Sequence, residues 1–193
     1  MTRPLLHAAT GLLALTLGLL PAPWHLVGAV LGIVAGWIVF PLTAFGRGLQ
    51  RPGEPFLGGL RTYPVAVLAL VVLLPRAEAA AAWGVLAFGD AAAGLVGPRV
   101  PAPAILGSPK ATWSGTSAYL ICGGLAAWGL SWGAAALATC TGWVVIDVVP
   151  SVLACFAAAG AAALLDLVPL PPDDNLPAAA AAGVVLHVLR IST

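Results

Sequence analysis

Charge is what this sequence has least of. Its 193 residues include eight Lys or Arg and seven Asp or Glu, and Lys110 is the single lysine. An ordinary soluble domain is roughly 25% charged; this chain is 8% charged, which excludes that class. A formal net charge of +1 leaves no basic surface for nucleic acid. Cysteine is nearly as scarce. Cys122, Cys140 and Cys155 are odd in number, follow no C-x-x-C spacing and lie in apolar runs, so they read as helix packing rather than a disulfide framework or a zinc site. The soluble phosphate-binding signatures G-x-x-x-x-G-K-[ST] and strand-associated G-x-G-x-x-G are missing, so a nucleotide must be held by other means. No G-x-S-x-G elbow or H-E-x-x-H pair is present either, which leaves serine-hydrolase and zincin readings without their motifs.

What remains is hydrocarbon. The chain is 61% apolar, with runs near 4–20, 24–45, 57–74, 79–97, 113–133, 147–168 and 176–191. Each approaches the ~20 residues of a membrane span. The expectation is an all-α, polytopic integral membrane bundle of about seven transmembrane helices, forming a single domain over 1–193. Breakers separate the runs: PAPW at 21–24, GRGLQRPGEP at 46–55, LPRAE at 74–78, GPRVPAPAILGSP at 97–109 and PLPPDDNLP at 169–177. The stretch 134–146 is ambiguous between an extension of its neighbours, an interfacial segment anchored by Trp143 and an eighth short span. The first twenty residues resemble a signal peptide, but PAP at 21–23 is a poor cleavage region, and a retained helix is expected.

With seven spans and the N-terminus inside, Arg3, Arg47, Arg51, Arg99 and Lys110 fall inside, with Arg61 near that face, whereas Arg76 and Arg190 fall outside. That is the asymmetry the positive-inside rule asks for. It places the protein in the cell membrane as a multi-pass chain with its polar chemistry on the cytoplasmic face. His7, Glu54, Asp90, Lys110, Asp166, Asp173, Asp174 and Asn175 then share one side. The Gly- and Ala-rich runs, such as 28–37 and 157–164, suit close helix packing.

Asp90 stands inside an apolar helix, where a carboxylate costs about 2.5–3.5 kcal/mol on insertion scales and marks a site by default. Its alternative role is a buried ion pair with Arg61 or Arg99. Asp173, Asp174 and Asn175 read either as an N-cap of the last helix or as oxygen ligands for Mg²⁺, which usually takes one or two carboxylates plus substrate phosphates. Lys110, with Thr112, Ser114, Gly115 and Thr116 at the next helix start, forms a candidate phosphate cradle or a plain capped helix entry. Asp166 ends the sixth run as a base, a ligand or a solvated charge. Arg3 and His7 share one face of the first helix, and His25 and His187 are expected at the interface.

Five segments in order resemble the CTP-dependent lipid kinases, which include dolichol kinases, phytol kinases and the fungal-type diacylglycerol kinases and are related to phosphatidate cytidylyltransferases. They are R-P-L-L-H at 3–7, RPGEPFLGGLRTYPVAVL at 51–68, FGDAAAGLVG at 88–97, SPKATWSGTSA at 108–118 and LLDLVPLPPDDNLP at 164–177. Pro4 and Ala111 stand where the family often has lysine, Ser114 where an acid is frequent, and Asp166 where glutamate is usual. The resemblance implies phosphoryl transfer from CTP to the hydroxyl of a polyprenol, a phytol-type isoprenoid or diacylglycerol. It implies Mg²⁺ on Asp90, Asp173, Asp174 and Asn175, and nucleotide phosphates on Lys110, Thr112, Ser114, Gly115 and Thr116. Asp90, Lys110 and Asp166 become catalytic residues, while Arg3 and His7 serve the head-group. Formation of a CDP-lipid is the alternative, and a small transporter is a third reading; a homodimer is left open.

Overall fold

The computed structural model describes residues 2–49, 58–105, 108, 111–142, 148–168 and 173–191. Among them helix is the regular structure, joined by turns and irregular segments, with one isolated bridge between Ala104 and Thr112. Helix α1 spans Arg3–Leu19, with a tighter 3-10 turn at Leu12–Leu15, and ends where Leu20 turns extended ahead of Pro21. A residue before proline disfavours the helical region, which makes this a natural stop. Helix α2, Ala22–Leu42, opens with Pro23 in its first turn, where a missing N–H costs nothing. A short α3, Ala44–Leu49, follows.

Helix α4, Gly59–Leu73, closes as α1 does, with Leu74 extended before Pro75. Helix α5, Arg76–Val96, contains a widened π turn at Val85–Gly89. Helix α6, Trp113–Cys140, runs 28 residues from Thr112, whose hydroxyl accepts the Gly115 N–H at 3.2 Å. Helix α7, Val152–Asp166, is capped by Ser151, which accepts the Ala154 N–H at 3.2 Å. Helix α8, Asn175–Ile191, completes the chain.

Apolar helices thus occupy all seven predicted runs, but three of them, α2, α5 and α6, are long and apolar enough to cross a membrane. The other four, α1, α4, α7 and α8, are shorter apolar helices of 10–17 residues. The ambiguous 134–146 stretch resolves in part: α6 continues to Cys140, lengthening the fifth run, and Trp143 lies outside the described residues. The sixth run starts later than the predicted 147, because Pro150 and the Ser151 cap set the helix start at Val152.

Helix α5 is the axis of the bundle. Ala77 and Ala79 to Ala82 are fully enclosed, and α5 packs along α6 and against α1. α7 packs against both α6 and α8, and α2 leans on α4 from outside. Small residues permit this: a Cβ on Gly18 would collide with the backbone carbonyl of Ala134 in α6. α2 by contrast is 11% buried, with Trp24, Val30, Leu31 and Ile38 turned outward. An apolar exterior of that kind is consistent with an apolar surrounding medium.

Candidate functional site

The π turn at Val85–Gly89 ends on Asp90. Such single wide turns often re-aim a side chain at functional sites. Here the turn coincides with Gly89, where an added Cβ would stand 2.5 Å from the Tyr119 ring of α6, so only glycine allows the two helices this approach. Beside this contact lies a cavity of about 410 Å³. Its wall carries Asp90 from α5, Thr112, Gly115 and Thr116 from the start of α6, Asp166 from the end of α7 and Asp174 from the turn before α8. Six residues singled out from the sequence therefore share one hollow, although up to 84 positions separate them.

Asp90 also has a partner behind the cavity. Its Oδ2 lies 2.8 Å from Nδ1 of His7 in α1, and the buried imidazole stacks on Tyr63 of α4 with ring centroids 4.5 Å apart. The contact is at ion-pair distance, while Nδ1 makes no hydrogen bond of good geometry. Arg99, one of the predicted ion-pair partners, instead donates to the Leu95 carbonyl one turn back on its own chain.

The Asp-Asp-Asn segment divides its labour. Asp173 Oδ1 accepts the backbone N–H of Asn175 at 2.8 Å and the Thr62 hydroxyl at 2.8 Å, while the buried Asn175 amide donates to Thr62 at 3.1 Å. These bonds fasten the start of α8 to α4. Arg3 joins them: its Nη2, the Asn175 amide and Asp173 Oδ2 all converge on Gly59, where a Cβ would displace the guanidinium. Burial pushes the Asp173 carboxyl above the ordinary carboxylate value, as does neighbouring Asp174, while its two hydrogen bonds and Arg3 pull the other way. The residues of this segment part ways: Asp173 and Asn175 are engaged in structure, and Asp174 lines the cavity.

The donor set on the cavity wall is three carboxylates, the hard oxygen ligands that suit Mg²⁺ in company with phosphates. Among the described residues no three His, Cys, Asp or Glu side chains converge tightly enough to chelate an ion unaided.

The predicted phosphate cradle is thinner than expected. Lys110 lies outside the described residues. At the α6 start, the Trp113 N–H is taken by the Pro103 carbonyl at 3.1 Å and the Gly115 N–H by Thr112. Ser114 donates to the Val100 carbonyl at 2.8 Å and is absent from the cavity wall, because its hydroxyl ties down the loop that precedes the helix. Thr116 and the positive end of the α6 dipole remain. Ala111 forms part of the wall, so a lysine at that position would reach the cavity.

Several residues here carried no sequence signal strong enough to find them. Thr62 and Tyr63 enter through hydrogen bonds and stacking that only the packing of α4 creates. The Tyr119 hydroxyl is buried without a hydrogen-bond partner beside the π turn. At the opposite end of α5, fully buried Glu78 meets Arg190 Nε at 2.6 Å and His187 Nδ1 at 3.0 Å from α8. His187 is thus an ion-pair partner, and His25, also expected at the interface, is buried. No protein-family model, curated protein or solved structure matches this chain.

Proposed function

We propose that this protein is an integral membrane kinase that moves the terminal phosphoryl group of a nucleoside triphosphate, CTP by the resemblance of its motifs, to the hydroxyl of a membrane lipid alcohol. The observation that carries this reading is the 410 Å³ cavity in which Asp90, Asp166 and Asp174 face Thr116 and the N-terminal end of α6. Phosphoryl transfer asks mainly for positioning and charge neutralisation. Acidic oxygens opposite a helix N-terminus supply both halves of a metal–triphosphate seat.

Mg²⁺, held by Asp90 and Asp174 with Asp166 within the same wall, would neutralise charge on the triphosphate. The chain's own residues do the rest. The positive end of α6 and the Thr116 hydroxyl hold phosphate oxygens. The His7–Asp90 pair accepts the proton of the lipid hydroxyl: Asp90 fixes the imidazole by the 2.8 Å contact at Nδ1, and Nε2 takes the proton as the oxygen attacks. Arg3, anchored beside Asp173, adds positive charge at the same end of the bundle.

The same proposal includes seven spans with the N-terminus and the cavity in the cytoplasm. The four shorter helices reach roughly 22–26 Å, a few ångströms under the bilayer core, a mismatch that local thinning accommodates at modest cost. Purified protein with CTP, Mg²⁺ and a panel of lipid alcohols is expected to form a lipid monophosphate, and Asp90→Asn and Asp174→Asn are expected to abolish it. Full activity in both variants, or no phospholipid with any nucleotide, contradicts the assignment. Release of pyrophosphate with a CDP-lipid product selects the cytidylyltransferase reading instead.

A further inference from the structure

A second cavity, of about 200 Å³, lies between α1, α2, α4 and α5, and its walls are almost wholly apolar. Gly28 and Gly32 make one smooth side; His7 and Tyr63 stand at another. Leu13, which also lines it, is 52% exposed, so the cavity opens sideways onto the apolar exterior. His7 connects the two hollows: it lines this cavity while its Nδ1 touches Asp90, which lines the other.

The few polar groups in the second cavity are already spent on one another. Trp83 Nε1 donates to the Tyr63 hydroxyl at 2.9 Å. The Thr10 hydroxyl lies 3.0 Å from the Tyr63 hydroxyl and 2.8 Å from the His7 carbonyl. Thr10 has one proton for two contacts, so with Thr10 donating to the carbonyl, the Tyr63 proton serves Thr10 and the chain of donors ends there. Among the side chains of Trp83, Thr10 and Tyr63, no donor is left over for a guest carbonyl. By volume, roughly eight carbons of chain fit inside, judged against the 150 Å³ that accommodates benzene, and the remainder would leave past Leu13 into lipid.

We propose that this cavity seats the hydrocarbon chain of an ester-free, single-chain lipid alcohol with its hydroxyl at His7, and that it discriminates against diacylglycerol. Diacylglycerol brings two ester carbonyls within a few atoms of its hydroxyl, and each would be buried unpaired, at about tenfold or more in affinity. The inference rests on the lipid-alcohol reading given above.

The test is binding of tritiated geranylgeraniol to the purified full chain without nucleotide, with 1-dodecanol and dioctanoylglycerol as competitors. Saturable binding, competition by dodecanol and at least tenfold weaker competition by dioctanoylglycerol are expected. Gly28→Leu projects into the cavity from a position where a Cβ meets nothing within 4 Å, and should weaken geranylgeraniol binding about tenfold with nucleotide binding and melting temperature unchanged. Gly32→Leu, whose Cβ has only Pro64 at 3.7 Å, serves as the second variant. Equal competition by dioctanoylglycerol, or unchanged affinity in both variants, overturns the proposal. The two readings fail separately. Chain binding as described without phosphate transfer from any nucleotide refutes the kinase and leaves the cavity's role, whereas transfer to both lipid classes alike refutes only the cavity's role.

Discussion

At the scale of single residues, Asp90 and Asp173 separate two jobs that adjacent carboxylates in one sequence motif cannot reveal. Asp90 faces a cavity on one side and His7 on the other. Asp90→Asn keeps the volume but removes the charge that orients the imidazole, so a fall in turnover of about 10²-fold or more is expected, with the thermal midpoint nearly unmoved. His7→Gln should lose a similar factor; retention of activity in both removes the pair from the chemistry. Asp173 predicts a different signature. Its carboxyl is raised by burial, so the folded state binds the proton more tightly than the unfolded chain, and this contribution favours folding below the ordinary value of 3.8 and is lost as pH rises through the folded value. Asp173→Asn is expected to flatten the pH dependence of the melting temperature in the window just above 3.8 while keeping an acceptor for Asn175 N–H and Thr62. An unchanged pH profile contradicts this.

At the scale of elements, α5 carries a fully buried acid toward its start, Glu78, and a partly exposed one toward its end, Asp90. Glu78 and Asp90 stand twelve positions apart, roughly 18 Å along the axis, so the Glu78–His187–Arg190 cluster can hold α5 to α8 without touching the cavity. Arg190→Leu leaves a fully buried carboxylate with reduced compensation, and about 3–5 kcal/mol of stability should be lost. The double variant Glu78→Leu with Arg190→Leu removes both charges and should recover most of it. A double variant less stable than the single one rules out the unpaired charge as the cause.

The helices themselves were legible, since Pro21, Pro75, Pro150 and the caps Thr112 and Ser151 punctuate the apolar runs. Asp90 stood out as an acid inside an apolar helix, Asp174 as part of the Asp-Asp-Asn segment and Asp166 as the acid that ends an apolar run. What the sequence hid was side-chain direction at helix starts. SPKATWSGT contains four hydroxyls with equal claims on a phosphate, and only the packing around the start of α6 shows Ser114 spent on Val100 while Thr116 lines the cavity. Glu78 was hidden for a related reason: the turn residues around it read as a loop, and its partners lie more than 100 positions away.

At the scale of the whole molecule, an apolar exterior and a polar pocket at one end make a simple claim about orientation. With seven spans and an inside N-terminus, α6 runs outward, so exposed Cys140 lies near the outer face and exposed Cys122 in mid-span. A membrane-impermeant maleimide applied to intact cells should label Cys140 and spare Cys122; labelling of Cys140 only after the membrane is opened would invert the topology. The most direct measurement of the central claim follows the phosphorus atoms. Purified protein receives Mg²⁺, geranylgeraniol and CTP labelled in parallel at the α or the γ phosphorus. The account predicts γ label in the lipid, none from α, and loss of that transfer in Asp90→Asn; label in the lipid from the α position, or none from either, contradicts it.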